Sequence, residues 1–314
     1  ALVDSRMTSA EPGFFETWFD DTCEPHPLKG LRILTTKDLV LPDPIVCFQI
    51  LLLGGLFTVV RSWSVRCIFG PAADKLKLFT DDYPRFFESA WQMAYYTGAW
   101  FACAYFAHQA EFFKRACLSW VEPFPYQPVP LGFHWIYILS LGWYLHCFYA
   151  HVFLDPRKKD YYEMLIHHVA TFSLLFFTYS KGYVKIGILA LYCMDICDIF
   201  LHFLKLFRLV DNVHHLPAWL KNISFPFLPI SWVVFRIFFF VRKVVYSACV
   251  QSTDYGSWRN NTHYVPFNGL LIILLFLQIM WFYYIMKTAV MHVFYGDEFD
   301  DERDPHAHDK RKSQ

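Results

Sequence analysis

Long apolar runs separated by short charged connections recur along the chain, near 45–62, 88–108, 131–154, 161–180, 183–207, 223–250 and 267–292. Each has the length to cross about 30 Å of hydrocarbon at about 1.5 Å per residue. The pattern predicts an all-α, polytopic membrane protein with about seven transmembrane helices. Only Ser180, Lys181 and Gly182 separate the fourth run from the fifth, which predicts an antiparallel hairpin. The first run is the least regular, because Gly54 and Gly55 interrupt it and Arg61 ends it early. Residues 1–44 are polar and punctuated by proline, without the pattern of a signal peptide. Residues 296–314 are charged, lack apolar periodicity and are expected to be disordered. The chain therefore divides into a polar segment (1–44), a first helix with its loop (45–80), a main helical domain (81–295) and a charged tail (296–314).

The basic residues of the connections alternate. Loop 63–87 carries Arg66, Lys75, Lys77 and Arg85, whereas loop 109–130 has only Lys114 and Arg115. The third connection has Arg157, Lys158 and Lys159, the fourth Lys181, the fifth Lys205, Arg208 and Lys221, and the sixth Arg259. Positive-inside logic puts the first, third and fifth loops and the C-terminus in the cytosol, and the N-terminus in the lumen. On that topology, of the two glycosylation sequons at Asn222 and Asn260, only Asn260 faces the lumen.

Composition agrees with a membrane protein: 55% of the residues are hydrophobic and 20% aromatic. The formal net charge is zero, so nothing in the total points to nucleic acid. The nine cysteines are scattered and odd in number, without a CxxC pair, which argues against a disulfide framework and against a thiolate zinc site.

Polar residues inside the fourth and fifth runs change the picture. Asp195, Asp198, His202 and Lys205 step by three, four and three, one face of a helix. Glu163, His167 and Thr171 step by four in the preceding run, with His168 beside them. A carboxylate in such a segment costs about 2.5–3.5 kcal/mol on insertion scales. A polar contact acting as interhelical glue returns about 1 kcal/mol or less, so this cluster marks a functional site. Counting 1.5 Å per residue from the cytosolic ends puts His167 about 10 Å deep and Asp198 about 13 Å deep. The two stripes should meet as a polar seam across the hairpin.

Histidines oriented by carboxylates suit acyl or proton transfer. Arg157, Lys158 and Lys159 lie at the mouth, where they could hold phosphates, although they also serve the topology signal. Arg236, inside an aromatic run, should pair with Asp195, Asp198 or a ligand. A di-iron centre is disfavoured because neither HxxxH nor HxxHH occurs, and no metal is expected. The isolated histidines, among them His146 and His151, read as snorkelling or hydrogen-bonded interface residues.

The residues HHxxT at 167–171, Thr178-Tyr179, Lys185-x-Gly187, MDxxD at 194–198 and Lys205 resemble the signature of TLC-domain ceramide synthases of the longevity-assurance type. RFFESAWQMAYYTG (85–98) and FNGLLIILLFLQIMWFYYI (267–285) extend the resemblance over roughly 80–295. Met194 stands where many animal and plant members carry His. In this the chain is similar to fungal-type members. His202 stands where Glu is common. The resemblance implies a TLC fold and an enzyme of the endoplasmic reticulum membrane that joins a fatty acyl-CoA to the amine of a sphingoid base. It implies His167 as nucleophile, His168 as proton acceptor, and Asp195 and Asp198 as their support, while Arg236, His202 and Lys205 are expected in the substrate site with the basic turn. Acyl-CoA is then a co-substrate, with no permanently bound cofactor. The expected partners are the two substrates, membrane lipids, a homo- or heterodimer mate and a small regulatory membrane subunit. The alternative is a noncatalytic TLC-fold protein that binds lipid or serves a larger membrane complex.

Overall fold

The protein is described here by a computed structural model covering residues 33–34, 44–107, 110–120, 129–155, 157–254 and 263–295. Asn260, nearly all of the N-terminal polar segment and the charged tail lie outside these residues. Seven long helices run through them: α1 (Pro44–Ser64), α2 (Tyr83–Ala107), α3 (Leu131–Phe153), α4 (Tyr161–Ser180), α5 (Val184–His214), α6 (Trp232–Gln251) and α7 (Tyr264–Tyr295). The only strands among the described residues form a two-residue antiparallel ladder, Ile33–Leu34 against Val129–Pro130. The architecture is all-helical.

Four stretches are long and apolar enough to cross a membrane by length and composition: Pro44–Lys75, Leu131–Phe153, Trp219–Gln251 and Tyr264–Met291. They hold α1, α3, α6 and α7. The other three long helices, α2, α4 and α5, carry the ionisable residues picked out above or their partners, and these lower their hydropathy. Within its apolar window α3 is 61% buried and α1 only 17%. Thus α3 runs through the core, while α1 turns Phe48, Leu51, Leu52 and Val59 outward, the surface that a lipid environment would cover.

The fourth and fifth runs do form a hairpin, turned by Lys181 and Gly182, whose φ of 79° suits glycine. Their mutual packing is nevertheless limited. The most extensive contact of α5 is with α2 and the next with α6, while α4 packs on α3 and α7. The expected seam directly across the hairpin is therefore not the main interface of the aspartate stripe. Sequence adjacency joins two helices at one end without making them each other's best packing partner.

Two further departures have plain causes. Helix α5 continues two turns past 207 because Leu206, Leu209 and Val213 cover Ala73, Leu78 and Phe86. Helix α6 is wound as a wide π-helix whose buried stripe, Trp232, Arg236, Phe240, Val244 and Ala248, is widened at its far end by Lys243, Ser247 and Gln251. Cys117 is disulfide-bonded, a single bridge and not the framework that the cysteine count argues against. An odd count excludes complete pairing, not a single bridge.

Candidate active site

Arg236 organises the centre of the bundle. Its guanidinium lies 2.7 Å from an Asp198 carboxylate oxygen and donates to Gln278 Oε1 at 2.9 Å and to the Met194 carbonyl at 3.0 Å. Its charged face sits 4.1 Å over the Trp232 ring. Three helices, α5, α6 and α7, are thereby tied to one planar cation. Such a fork is what guanidinium chemistry supplies and an ammonium does not. Arg236 itself is 4% exposed, so the carboxylate partner expected from the sequence is present, and it is Asp198.

Asp195, three residues earlier on the same face, is 4% exposed. Its Oδ1 has no hydrogen-bond partner among the described residues. Tyr95 and Tyr96 of α2 and Tyr144 of α3 lie close enough to feel its charge. The lower half of the stripe turns to α2: His202 stacks on Tyr96 at 6.0 Å, and His202 and Lys205 lie within electrostatic reach of the buried Glu88.

The two histidines diverge, as consecutive residues on a helix must. His167 meets the edge of Trp281 on α7 at 5.2 Å, and its Nδ1 is 3.4 Å from the Thr171 hydroxyl. His168 turns towards α3, where its ring is 5.4 Å from that of His151, and its Nδ1 is unpartnered among the described residues. No hydrogen bond joins either histidine to Asp195 or Asp198 among the described residues. The aspartate stripe is held instead from α6, where Arg236 takes Asp198.

The basic turn is pinned from below. Lys158 holds both oxygens of Glu88, at 2.6 and 2.8 Å, and Asp155 accepts from Arg61 at 2.5 Å. Lys158 thus neutralises a buried carboxylate in this state. Arg157 and Lys159 are exposed, Arg157 lying 5.3 Å over Tyr161. That ring stacks on His151 at 4.6 Å, and His151 Nε2 is 3.0 Å from the Tyr161 carbonyl. A chain of contacts therefore runs from the exposed mouth through Tyr161 and His151 to His168. Among the described residues no group of three or more His, Cys, Asp or Glu is placed to hold a metal ion.

Sequence reasoning missed Glu88 and Gln278. Gln278 breaks an apolar run with a lone polar side chain, the signal that singled out Arg236, whereas Glu88 lies among Arg85, Ser89 and Gln92.

Residues 85–287, which hold nearly all of this site, match the family model described as TLC domain. Human ceramide synthase 1 is 34% identical over 253 residues, covering 76% of this chain and 70% of the relative. The chain belongs to the TLC-domain ceramide synthase family. Ceramide synthase hyl-1 of Caenorhabditis elegans is 29% identical over 211 residues (64% of this chain, 56% of the relative). Ceramide synthase LOH2 of Arabidopsis thaliana is 27% identical over 209 residues (65% and 68%).

Proposed function

We propose that this protein is a ceramide synthase, an acyltransferase that moves a fatty acyl group from coenzyme A to the amine of a sphingoid base. The observation that carries the reading is the Arg236 centre: a buried cation that clamps Asp198 inside the bundle, in a chain whose relatives are ceramide synthases.

In the reaction, His167 attacks the thioester carbonyl through Nε2 while its Nδ1–H faces the Thr171 oxygen. The carbon–sulfur bond breaks and the thiolate leaves as coenzyme A. The neutral amine then attacks the acyl-imidazole, forming the amide and releasing the imidazole. Asp195, whose Oδ1 is unpartnered, takes the proton that the amine gives up. A buried setting favours the neutral, nucleophilic amine over the ammonium. His168 shuttles protons towards His151, and Asp198 with Arg236 fixes the local charge. Arg157 and Lys159 meet the phosphates at the mouth, joined by Lys158 when it leaves Glu88, while His202 and Lys205 line the lower site.

The chain crosses the endoplasmic reticulum membrane seven times, with its N-terminus lumenal and its C-terminus cytosolic. Basic residues favour that orientation, and so does the bridge at Cys117, since disulfides persist in oxidising compartments. The missing direct bond between histidines and aspartates is what a noncatalytic lipid-binding relative would show, so one experiment must separate the two. Purified protein given long-chain acyl-CoA and sphinganine is expected to form N-acyl product, and His167→Ala to abolish it without loss of fold. Wild type and variant both silent, with other subunits co-purifying in stoichiometric amount, would refute the enzymatic reading.

A further inference from the structure

Helix α7 brings two polar side chains to the site one turn apart, Gln278 and Trp281, which are 1% and 5% exposed. Gln278 is engaged: its Oε1 accepts from Arg236 at 2.9 Å, and its backbone carbonyl accepts from Trp232 Nε1 at 3.1 Å. Trp281 differs. Its indole packs with Cys197, Leu204, Leu228, Trp232 and Leu277, yet its Nε1 has no hydrogen-bond partner among the described residues. The same ring stands beside His167, with centroids 5.2 Å apart and planes at 77°.

An indole nitrogen can only donate, and a buried donor with nothing to bond gives up its hydration without return. Elsewhere the bundle avoids this: Trp91 donates to His146 Nε2 at 3.0 Å and Trp120 to Ser247 Oγ at 2.8 Å. Trp100 and Trp143 also leave Nε1 unpartnered among the described residues. Each of those rings lies flat on a tyrosine, Tyr192 at 5.4 Å and Tyr95 at 3.7 Å, and not against His167. Other donors near the nucleophile are in use. The Thr171 hydroxyl faces His167 Nδ1, and both terminal nitrogens of Arg236 are taken by Gln278, the Met194 carbonyl and Asp198. Apolar packing alone would be met by phenylalanine at 281.

We propose that Trp281 is a catalytic residue whose Nε1–H binds the oxyanion of the acyl transfer. The inference rests on the reading of the protein as a ceramide synthase. When His167 Nε2 attacks the thioester carbon, the carbonyl electron pair moves onto oxygen. It returns as the carbon–sulfur bond breaks and coenzyme A leaves as the thiolate. When the amine attacks the acyl-imidazole, the same oxygen is charged again. The pair then returns as the bond to Nε2 breaks, and Asp195 takes the amine proton. One donor therefore serves both halves. A carbonyl carbon bonded to Nε2 carries its oxygen about 2.3 Å from that nitrogen, and an oxyanion donor stands about 2.7–3.1 Å beyond. That span of about 5 Å is the scale of the separation between the two rings. Gln278, held by Arg236 one turn away, fixes the register of α7 and with it the place of the indole.

The test uses the purified full chain with a long-chain acyl-CoA and sphinganine. Trp281→Phe keeps an aromatic ring against His167, and benzothienylalanine incorporated at the same position keeps the two-ring shape with sulfur in place of N–H. Both are expected to lower kcat about 10²–10³-fold, the loss that follows removal of one oxyanion donor. KM for each substrate should stay within about twofold, because the bond is made only in the transition state. Thermal unfolding should be no earlier than in wild type. With acyl-CoA alone, intact-mass spectrometry should show the acyl group arriving on the protein more slowly by a similar factor. A benzothienylalanine variant within about threefold of an active wild type in kcat, or a loss confined to KM, would overturn the donor and leave the enzymatic reading standing. A wild type that forms no product would refute the ceramide synthase reading and the donor with it.

Discussion

Replacing Arg236 by Met tests whether the polar centre is held by one cation. The side chains are similar in volume, so the change removes charge and hydrogen bonds more than bulk. Three polar contacts at 2.7, 2.9 and 3.0 Å and the packing on Trp232 are lost together. The dominant cost is the Asp198 carboxylate left buried without its counter-charge. Breaking one partner of a buried pair costs about 3–5 kcal/mol. Removing both charges costs far less, since an apolar replacement of a buried pair is often neutral. Arg236→Met with Asp198→Leu should therefore recover most of the stability and none of the activity. Arg236→Lys keeps the charge but cannot span Asp198, Gln278 and the Met194 carbonyl at once, and should fall between. The assay is unfolding of the purified protein in detergent, followed by tryptophan fluorescence against denaturant. A loss below about 1 kcal/mol in the single variant, or a double variant no better than the single, would refute a central clamp.

Three other perturbations follow from the geometry. Trp91 is donor-only and points at His146 Nε2 (3.0 Å), so the imidazole carries its proton on Nδ1 and donates to Thr58 Oγ1 at 2.9 Å; Trp91→Phe should cost about 1–3 kcal/mol by orphaning that buried nitrogen, measured by thermal unfolding. Lys158→Met strands Glu88 and should destabilise more than Glu88→Gln with Lys158→Met together, and the same stability if both were equally folded would contradict a buried ion pair. A Cβ at Gly187 would collide with the Tyr137 hydroxyl, itself bonded to Thr178. Gly187→Ala should therefore cost about 1–3 kcal/mol, part of it regained in Tyr137→Phe, as read by chemical denaturation.

Much of the fold was legible because apolar run length is a direct measure of helix length in such a chain. Helix α4 begins and ends where the run at 161–180 does. The three-and-four spacing of Asp195, Asp198, His202 and Lys205 correctly placed them along one face. Partner choice was not legible. Periodicity says which face of α5 is polar, but not that α2 receives its lower half through Tyr96 and Glu88. Those contacts lie about 100 residues apart in sequence and depend on how seven helices pack. Gln278 was hidden for a related reason: an amide in an apolar run is informative only once something is found at its end.

The distribution of polarity among the helices has a further consequence. Helices α4 and α5, which present the histidines and aspartates, fall below the apolarity of a membrane span, and α2, which supplies Glu88 and the tyrosines, does so too. They can still lie at membrane depth because their charges are paired within the protein: Asp198 on Arg236, Glu88 on Lys158, and Asp155 on Arg61 near the turn. The apolar helices α1, α3, α6 and α7 supply the surface and core around them. These three pairs each join separate elements of the bundle, so removing one member weakens tertiary packing as well as chemistry. Asp195 departs from this pattern. A carboxyl with an unpartnered oxygen at such a depth is expensive to keep, and stability gives no reason for it. Asp195→Asn should therefore leave folding unchanged or improve it while lowering turnover sharply, and a variant that loses both together would place Asp195 in the scaffold with Arg236 and Asp198.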